Sequence, residues 1–146
     1  MEDKTLMQKL YDIARATQTI DEYISYIEYV VQGNSFSASD LANKIYKATM
    51  IKYEASVRKH ASAIDVNCNL MADQMNSVKA FAIRYGLLRD YTFYLERIVL
   101  RLETFDMLDA LNRLTEAAIC IYDMRLRSKI DASTGITIVG GYKDAV

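Results

Sequence analysis

The chain has 146 residues, about the usual size of one domain, so we expect a single hydrophobic core. Hydrophobic residues make up 51% and charged residues 25%, whereas five glycines and no proline leave few turn-forming residues. This composition favours long elements and argues against a turn-rich sandwich or barrel. A net charge of −1 argues against a globally basic nucleic-acid-binding protein but leaves room for a local basic surface.

Apolar residues recur at steps of three and four through the first half of the chain, which is the period of one helix face. The first helix is predicted from Thr5 to about Gln32, either continuous or interrupted near residues 17–19. Ser37, followed three residues later by an acidic side chain, is typical of a helix cap. The second helix is therefore predicted over residues 38–60.

The second half of the chain continues the helical period. Ser62 with Asp65 repeats the capping pattern and predicts a third helix that ends at Gly86. Asp90 is the predicted N-cap of the last periodic stretch, which fits either one helix or two joined near residues 104–106. Four amphipathic helices with short connections predict an all-α fold, an antiparallel up-down four-helix bundle.

The C-terminal residues 131–146 differ from the helical body, predicted over residues 1–130, because three of the five glycines lie in this tail. Four consecutive β-branched residues favour a short strand: Ile136, Thr137, Ile138 and Val139. A lone strand has no partner in an all-helical domain. The tail is therefore expected either to be disordered or to bind a protein partner by adding to the edge of its sheet.

The sequence contains no recognisable catalytic or metal-binding pattern. Its one histidine, His60, lacks the spacing of a di-metal bundle or a zinc site, and the glycine-rich loops that bind nucleotides are missing. We expect a non-enzymatic protein without metal or cofactor. Cys68 and Cys120 are expected to be buried free thiols. No apolar run of signal-peptide or membrane-span length follows the charged N-terminus, so we expect a cytoplasmic protein without membrane contact.

Positive charge is concentrated on the second predicted helix. Residues 36–61 carry five basic and two acidic side chains, whereas residues 1–35 carry three and six. At 100° per residue the five basic side chains fall within an arc of about 140°: Lys44, Lys47, Lys52, Arg58 and Lys59. Such a face can bind a phosphate backbone, which makes these residues candidate nucleic-acid ligands. It is also typical of a solvated helix face, or of a surface that docks on the acidic first helix.

The residues around the junction of the third and fourth predicted helices suggest a family. The stretch from Phe81 to Tyr91, with Tyr94-Leu95 and the segment Met107 to Leu111, resembles this junction in the four-helix bundle proteins encoded in intervening sequences of bacterial 23S ribosomal RNA genes. It also resembles their relatives, the accessory variability proteins (Avd) of diversity-generating retroelements. The resemblance implies a ring-forming, pentameric bundle that serves as a non-catalytic partner of a reverse transcriptase and holds RNA or DNA on basic surfaces.

A second stretch resembles another class of helical subunit. Leu114-Thr-Glu-Ala-Ala, followed by Arg125 and Arg127, is similar to the small subunits of type III CRISPR effector complexes. Both resemblances imply a helical accessory subunit that contacts nucleic acid only within a complex, and the first also implies a homo-oligomer. The alternative is a protein–protein adaptor or structural, phage- or virus-type subunit that docks through the C-terminal tail.

Overall fold

In a computed structural model that describes residues 2–144, this part of the chain forms six α-helices and no β-strand. The predicted all-α class is confirmed. The expected number of helices is wrong, because six are present where four were predicted. They are α1 (Glu2–Ala16), α2 (Ile20–Val31), α3 (Ala38–Ser62), α4 (Met71–Arg84), α5 (Leu88–Arg101) and α6 (Met107–Thr134).

The first predicted helix is two helices, and the break lies near residues 17–19, as the second of the two predicted alternatives has it. The hydroxyl of Thr17 donates to the carbonyl of Ile13 at 2.9 Å, and the amide of Thr19 donates to the carbonyl of Ala14 at 2.8 Å. Gln18 between them takes a left-handed conformation, with φ of 61°. These bonds satisfy the last carbonyls of α1 and turn the chain into α2.

The last periodic stretch is likewise two helices. Leu102 ends α5 in a left-handed conformation with φ of 54°, and the amide of Glu103 donates to the carbonyl of Ile98 at 3.0 Å. The carboxylate of Asp106 then accepts a hydrogen bond from the amide of Asp109 at 3.1 Å and so caps α6. Two local capping arrangements therefore divide one run of helical periodicity.

Two predicted helix starts are wrong. Asp90 lies inside the first turn of α5, which begins at Leu88. Ser62 is the last residue of α3, and its hydroxyl donates to the carbonyl of Arg58 at 2.9 Å. Ser62 therefore closes one helix and does not open the next with Asp65.

The chain divides into two compact units. The first comprises Met1–Tyr53 and Tyr122–Val146, and the second comprises Glu54–Ile121. The helices α3 and α6 each contribute residues to both units. The predicted division between residues 130 and 131 falls within α6, which ends at Thr134.

Each unit has its own set of buried apolar side chains, and full burial of one large side chain contributes roughly 1.5–3 kcal/mol. In the first unit α1 packs on α2, and in the second α4 packs on α5. The largest fully buried side chains of the first unit are Leu10, Leu41, Ile45, Tyr46, Met50 and Ile130; those of the second are Val57, Val78 and Leu87.

The strand predicted for residues 136–139 is not formed. Gly135 ends α6 with φ of +74°, and the following residues run irregularly. Ile138 is nevertheless buried, whereas Val139 is 83% exposed. The β-branched run that suggested a strand instead places one residue of the tail in the core of the first unit.

Candidate interaction surfaces

Three of the five predicted nucleic-acid ligands lie in the first unit. Lys44 is exposed and Lys47 half-buried, and neither forms an ion pair with any residue between 2 and 144. Lys52 behaves differently, because its ammonium donates to the carbonyl of Gln18 at 2.7 Å and lies 3.5 Å from the carboxylate of Glu22. Lys52 therefore fastens α3 to the turn before α2, and its charge is partly compensated.

The other two predicted ligands lie in the second unit. The Arg58 guanidinium donates to Glu54 at 2.7 Å and to Glu116 at 2.9 Å, and these hydrogen bonds raise its pKa above the usual value. Lys59 is exposed and makes no ion pair within the described residues. Of the five predicted cations, two are thus engaged by acceptors of their own chain. Lys44, Lys47 and Lys59 have no such acceptor in the part of the chain that the structure describes.

A polar cluster in the first unit holds the C-terminal tail. Tyr46 donates its phenolic hydrogen to Asp123, and Arg127 donates to the same carboxylate at 3.1 Å. Burial, followed by the hydrogen bond to Asp123, raises the pKa of Tyr46 to about 12. Arg127 also donates to the carbonyls of Ile138, at 3.0 Å, and Gly140. The cluster is a clamp between two helices and the tail, and sequence spacing gave no signal of it.

The predicted partner-binding residues of the tail lie in different environments. Ile138 is buried and its carbonyl is occupied by Arg127, whereas Thr137 and Val139 are exposed and Ile136 is half-buried. A cavity of about 250 Å³ lies between this segment and the first turns of α3. Only part of the segment is therefore open to a partner in this conformation.

His60 lies in the last turn of α3, as expected for a basic residue near a helix C-terminus. Its Nδ1 contacts the hydroxyl of Tyr85, and Arg84 donates to its Nε2 at 2.9 Å. Both ring nitrogens thus have partners within the second unit. The expected burial of the two thiols is wrong: Cys68 is half-buried and Cys120 is exposed.

One face of α5 carries mostly apolar residues that the rest of the described chain leaves partly or largely exposed. They follow a four-three-four-three spacing that we name the α5 seam: Leu88, Thr92, Leu95, Val99 and Leu102. Val99 is 70% exposed and Leu102 92% exposed. The hydroxyl of Thr92 donates to the carbonyl of Leu88 at 2.8 Å, so this side chain can present its methyl group. Helical periodicity alone does not reveal the seam, because it predicts one apolar stripe for each helix.

A second apolar surface lies between α1 and α2 in the first unit. It is a groove of about 430 Å³ lined by Met7, Tyr23, Ile24, Ile27 and Val31, with the polar residues Glu28 and Gln32. Val31 is exposed and Ile24 about half-exposed. Exposed apolar surfaces of this kind mark interaction sites in many proteins.

Among residues 2–144, no group of three or more His, Cys, Asp or Glu side chains is placed to hold a metal ion. None of the helices in that range combines the length and the apolar character needed to cross a bilayer. The polar cluster around Arg127 in the first unit and the one around His60 in the second are held by hydrogen bonds within the chain.

Comparison with known proteins gives no relative for this chain: no protein-family model, no curated protein and no solved structure matches it.

Proposed function

We propose that this chain is a non-catalytic, oligomeric helical subunit of a nucleic-acid-associated assembly. The α5 seam is the observation that carries the proposal. An uncovered apolar stripe on a charged helix costs solubility unless another surface covers it. Self-association through the seam, with nucleic acid bound elsewhere on the chain, accounts for both the apolar and the basic surfaces.

The residue types of the seam fit a helix–helix interface. Residues spaced by four and three place Leu at one core position of a heptad and β-branched Thr or Val at the other, the preference of two-stranded coiled coils. The seam covers two heptads, which is too short for an isolated coiled coil. Attached to a folded unit, however, the helix is already formed, and a second copy supplies an identical, self-complementary stripe.

Nucleic-acid contact is assigned to the α3 lysines that form no ion pair within the described residues. Lys44, Lys47 and Lys59 can each release a counterion from a phosphate chain, whereas Lys52 and Arg58 would first have to give up their own acceptors. Three phosphate contacts correspond to a slope of about −2.7 in a double-logarithmic plot of duplex affinity against salt.

The partner protein is proposed from the sequence resemblance alone. That resemblance supports a reverse transcriptase of a diversity-generating retroelement as the partner, and a ring-forming four-helix bundle as the architecture of the assembled subunit. A type III CRISPR effector complex is the alternative setting. Each of these settings is cytoplasmic.

The mass in solution tests the oligomeric part of the proposal. Val99 lies on the seam, and its neighbour Leu100 is 81% exposed but lies about 100° away on the same helix. The V99E variant should be monomeric at concentrations where the wild type and L100E are oligomeric. A monomeric wild type at high protein concentration, or equal association of all three proteins, contradicts the proposal.

Titration with single-stranded and duplex RNA and DNA at low and moderate salt tests nucleic-acid contact. The variant K44A/K47A/K59A should bind more weakly and with a shallower salt dependence. The control K9A/K79A/K129A removes the same charge from three other exposed lysines and should bind as the wild type does. Equal nucleic-acid binding by the two triple variants contradicts the assignment of this contact to the α3 lysines.

The groove between α1 and α2 supports a second candidate function, a protein–protein adaptor or structural subunit. Its residues would contact the apolar face of a partner helix, and within the tail segment Ile136 to Val139 the exposed residues Thr137 and Val139 would add a further contact. Deletion of residues 131–146 discriminates between these two contact sites. Loss of partner binding with an intact fold supports the tail, and unchanged binding supports the groove.

A further inference from the structure

A cavity of about 200 Å³ opens in the second unit beside α5 and α6. Its lining includes three aromatic residues, Tyr91, Phe93 and Tyr94, two arginines, Arg97 and Arg113, and one acidic residue, Asp90. Ordinary ligand pockets measure roughly 300–1,000 Å³. This cavity is smaller than an ordinary ligand pocket. It would accommodate one flat ring, and the rest of a larger ligand would lie outside it.

The two arginines of the cavity differ in their partners. Arg113 donates to the carboxylate of Asp109 at 3.1 Å, and the same carboxylate accepts from the hydroxyl of Tyr94 at 3.2 Å. The Arg113 guanidinium also lies 5.8 Å from the centre of the Tyr94 ring. Arg97 is exposed and makes no ion pair with any residue between 2 and 144. The cavity thus has one cation that is paired within the chain and one cation, Arg97, that forms no ion pair within the described residues.

The cavity continues into a stripe of cations along α5. Four residues follow one another at steps of four, each step advancing about 6 Å along the helix axis. We name them the Arg/Phe stripe: Arg89, Phe93, Arg97 and Arg101. The Arg89 guanidinium lies 5.2 Å from the centre of the Phe93 ring, which leaves Phe93 49% exposed. The stripe lies on a different side of α5 from the α5 seam, so both can be occupied together.

The net charge of the sequence segment conceals this stripe. Residues 89–118 hold four basic and six acidic side chains, an overall charge of −2. Four of the acidic residues do not line the cavity: Glu96, Glu103, Asp106 and Glu116. A fifth, Asp109, is paired with Arg113. The stripe therefore presents local positive charge on a segment that is negative as a whole.

We propose that the cavity and the Arg/Phe stripe bind single-stranded nucleic acid, with one base in the cavity and the adjoining phosphates on the stripe. This assignment rests on the nucleic-acid partner of the proposed function and adds a second, independent contact surface to it. Aromatic rings stack on bases of any sequence, while cations along the strand neutralise successive phosphates. Guanidinium groups suit this role because they pair with phosphate oxygens and stack on rings as well.

The geometry favours a single strand over a duplex. A base can enter a cavity only when it is unstacked, and unstacking costs less energy in a single strand than in a duplex, where base pairs must also be broken. Asp90 adds a selective feature, because a carboxylate accepts a hydrogen bond from the exocyclic amino group of cytosine. Fluorescein-labelled oligodeoxycytidylate is therefore the probe of choice.

The test is a fluorescence anisotropy titration of the full chain with this probe at several salt concentrations. The F93A variant should bind at least about five-fold more weakly, since stacking on one aromatic ring contributes that much or more. The R97A variant should bind more weakly and flatten the double-logarithmic salt slope by about 0.7. The matched controls Y29A and R15A remove an exposed ring and an exposed arginine elsewhere and should bind as the wild type does.

The outcomes separate this inference from the α3 assignment. Weaker binding by F93A and R97A, with unchanged binding by K44A/K47A/K59A, supports the cavity and overturns the α3 site. The reverse pattern supports the α3 site and overturns the cavity. Failure of the wild type to bind the probe at low salt overturns this inference, while the mass measurement still tests the oligomer. Photo-cross-linking of a halogenated cytosine should modify the peptide that contains Phe93 and Tyr94; modification confined to α3 overturns the inference.

Discussion

Arg127 and Tyr46 are joined in two ways, through a hydrogen bond and through the aromatic ring. The guanidinium Nη2 donates to the Tyr46 hydroxyl at 2.7 Å, and the guanidinium carbon lies 4.8 Å from the ring centre. The remaining donors of Arg127 reach Asp123 and two carbonyls of the tail. One arginine therefore satisfies acceptors on α3, α6 and the tail at the same time.

Replacing Arg127 should destabilise the first unit. R127A leaves the Asp123 carboxylate and the tail carbonyls without their charged donor, so the free energy of unfolding should fall by about 2–3 kcal/mol. R127K keeps the charge but cannot bridge three elements, and it should recover less than half of that loss. The control R125A removes an exposed arginine and should change stability by less than about 0.5 kcal/mol. Urea denaturation measures the free energy of unfolding of the three variants. Equal denaturation midpoints for R127A and R125A would contradict a stabilising role of the clamp.

Two neighbouring residues of the tail should respond in opposite ways to truncation. Ile138 is buried, so I138A should cost about 2–4 kcal/mol through lost burial and the cavity left behind. Val139 is exposed, so V139A should leave stability nearly unchanged. The same denaturation measurement compares the two. Similar small effects would mean that the tail is detached in solution and free to bind a partner.

Alkaline pH should weaken the clamp through Tyr46. Its pKa is raised from 10.0 to about 12 in the folded state, so above pH 10 the unfolded chain loses this proton before the folded chain does. The stabilising contribution is therefore complete below pH 10 and is lost as the pH rises towards 12. Y46F should reduce stability at neutral pH by about 1–2 kcal/mol and should make the decline above pH 10 shallower. A parallel decline in both proteins contradicts the assignment.

Helix boundaries could be predicted from the sequence where hydrogen bonds between residues close in sequence determine them. The start of α3 follows from Ser37, whose hydroxyl accepts a hydrogen bond from the amide of Asp40 at 3.2 Å. The break near residues 17–19 also follows from local side chains. The prediction of Asp90 as a cap is wrong, because an acidic residue is also favourable inside the first turn of a helix, where Asp90 lies.

The candidate sites were harder to predict, because their partners are distant in the sequence. Arg58 looked like a free cation until the fold placed Glu116, 58 positions later, at 2.9 Å. The clamp joins Tyr46 to Arg127 across 81 positions. Helical periodicity identifies which residues share a face but does not show whether another element covers that face. This is why the α5 seam and the Arg/Phe stripe emerged only from the structure.

Leu102 combines backbone strain with exposure, which would link the stability of the second unit to the proposed self-association. Its φ of 54° is costly for a residue with a branched side chain, and glycine is the usual residue at this point of a helix terminus. No burial compensates the strain within the described chain, because Leu102 is 92% exposed. Strain of this kind is often retained where it serves an interaction.

L102G should therefore change stability and association in opposite directions. Relief of the strain should raise the free energy of unfolding, measured at low protein concentration, by about 0.5–1 kcal/mol. Loss of a seam leucine should weaken self-association at least ten-fold in sedimentation experiments, as one buried leucine contributes about 1.5–3 kcal/mol. The control is Q18G, which relieves the same strain at φ of 61° away from the seam. Q18G should raise stability and leave association unchanged. If L102G associates as tightly as Q18G, Leu102 is not part of the interface and its strained conformation has no role in self-association.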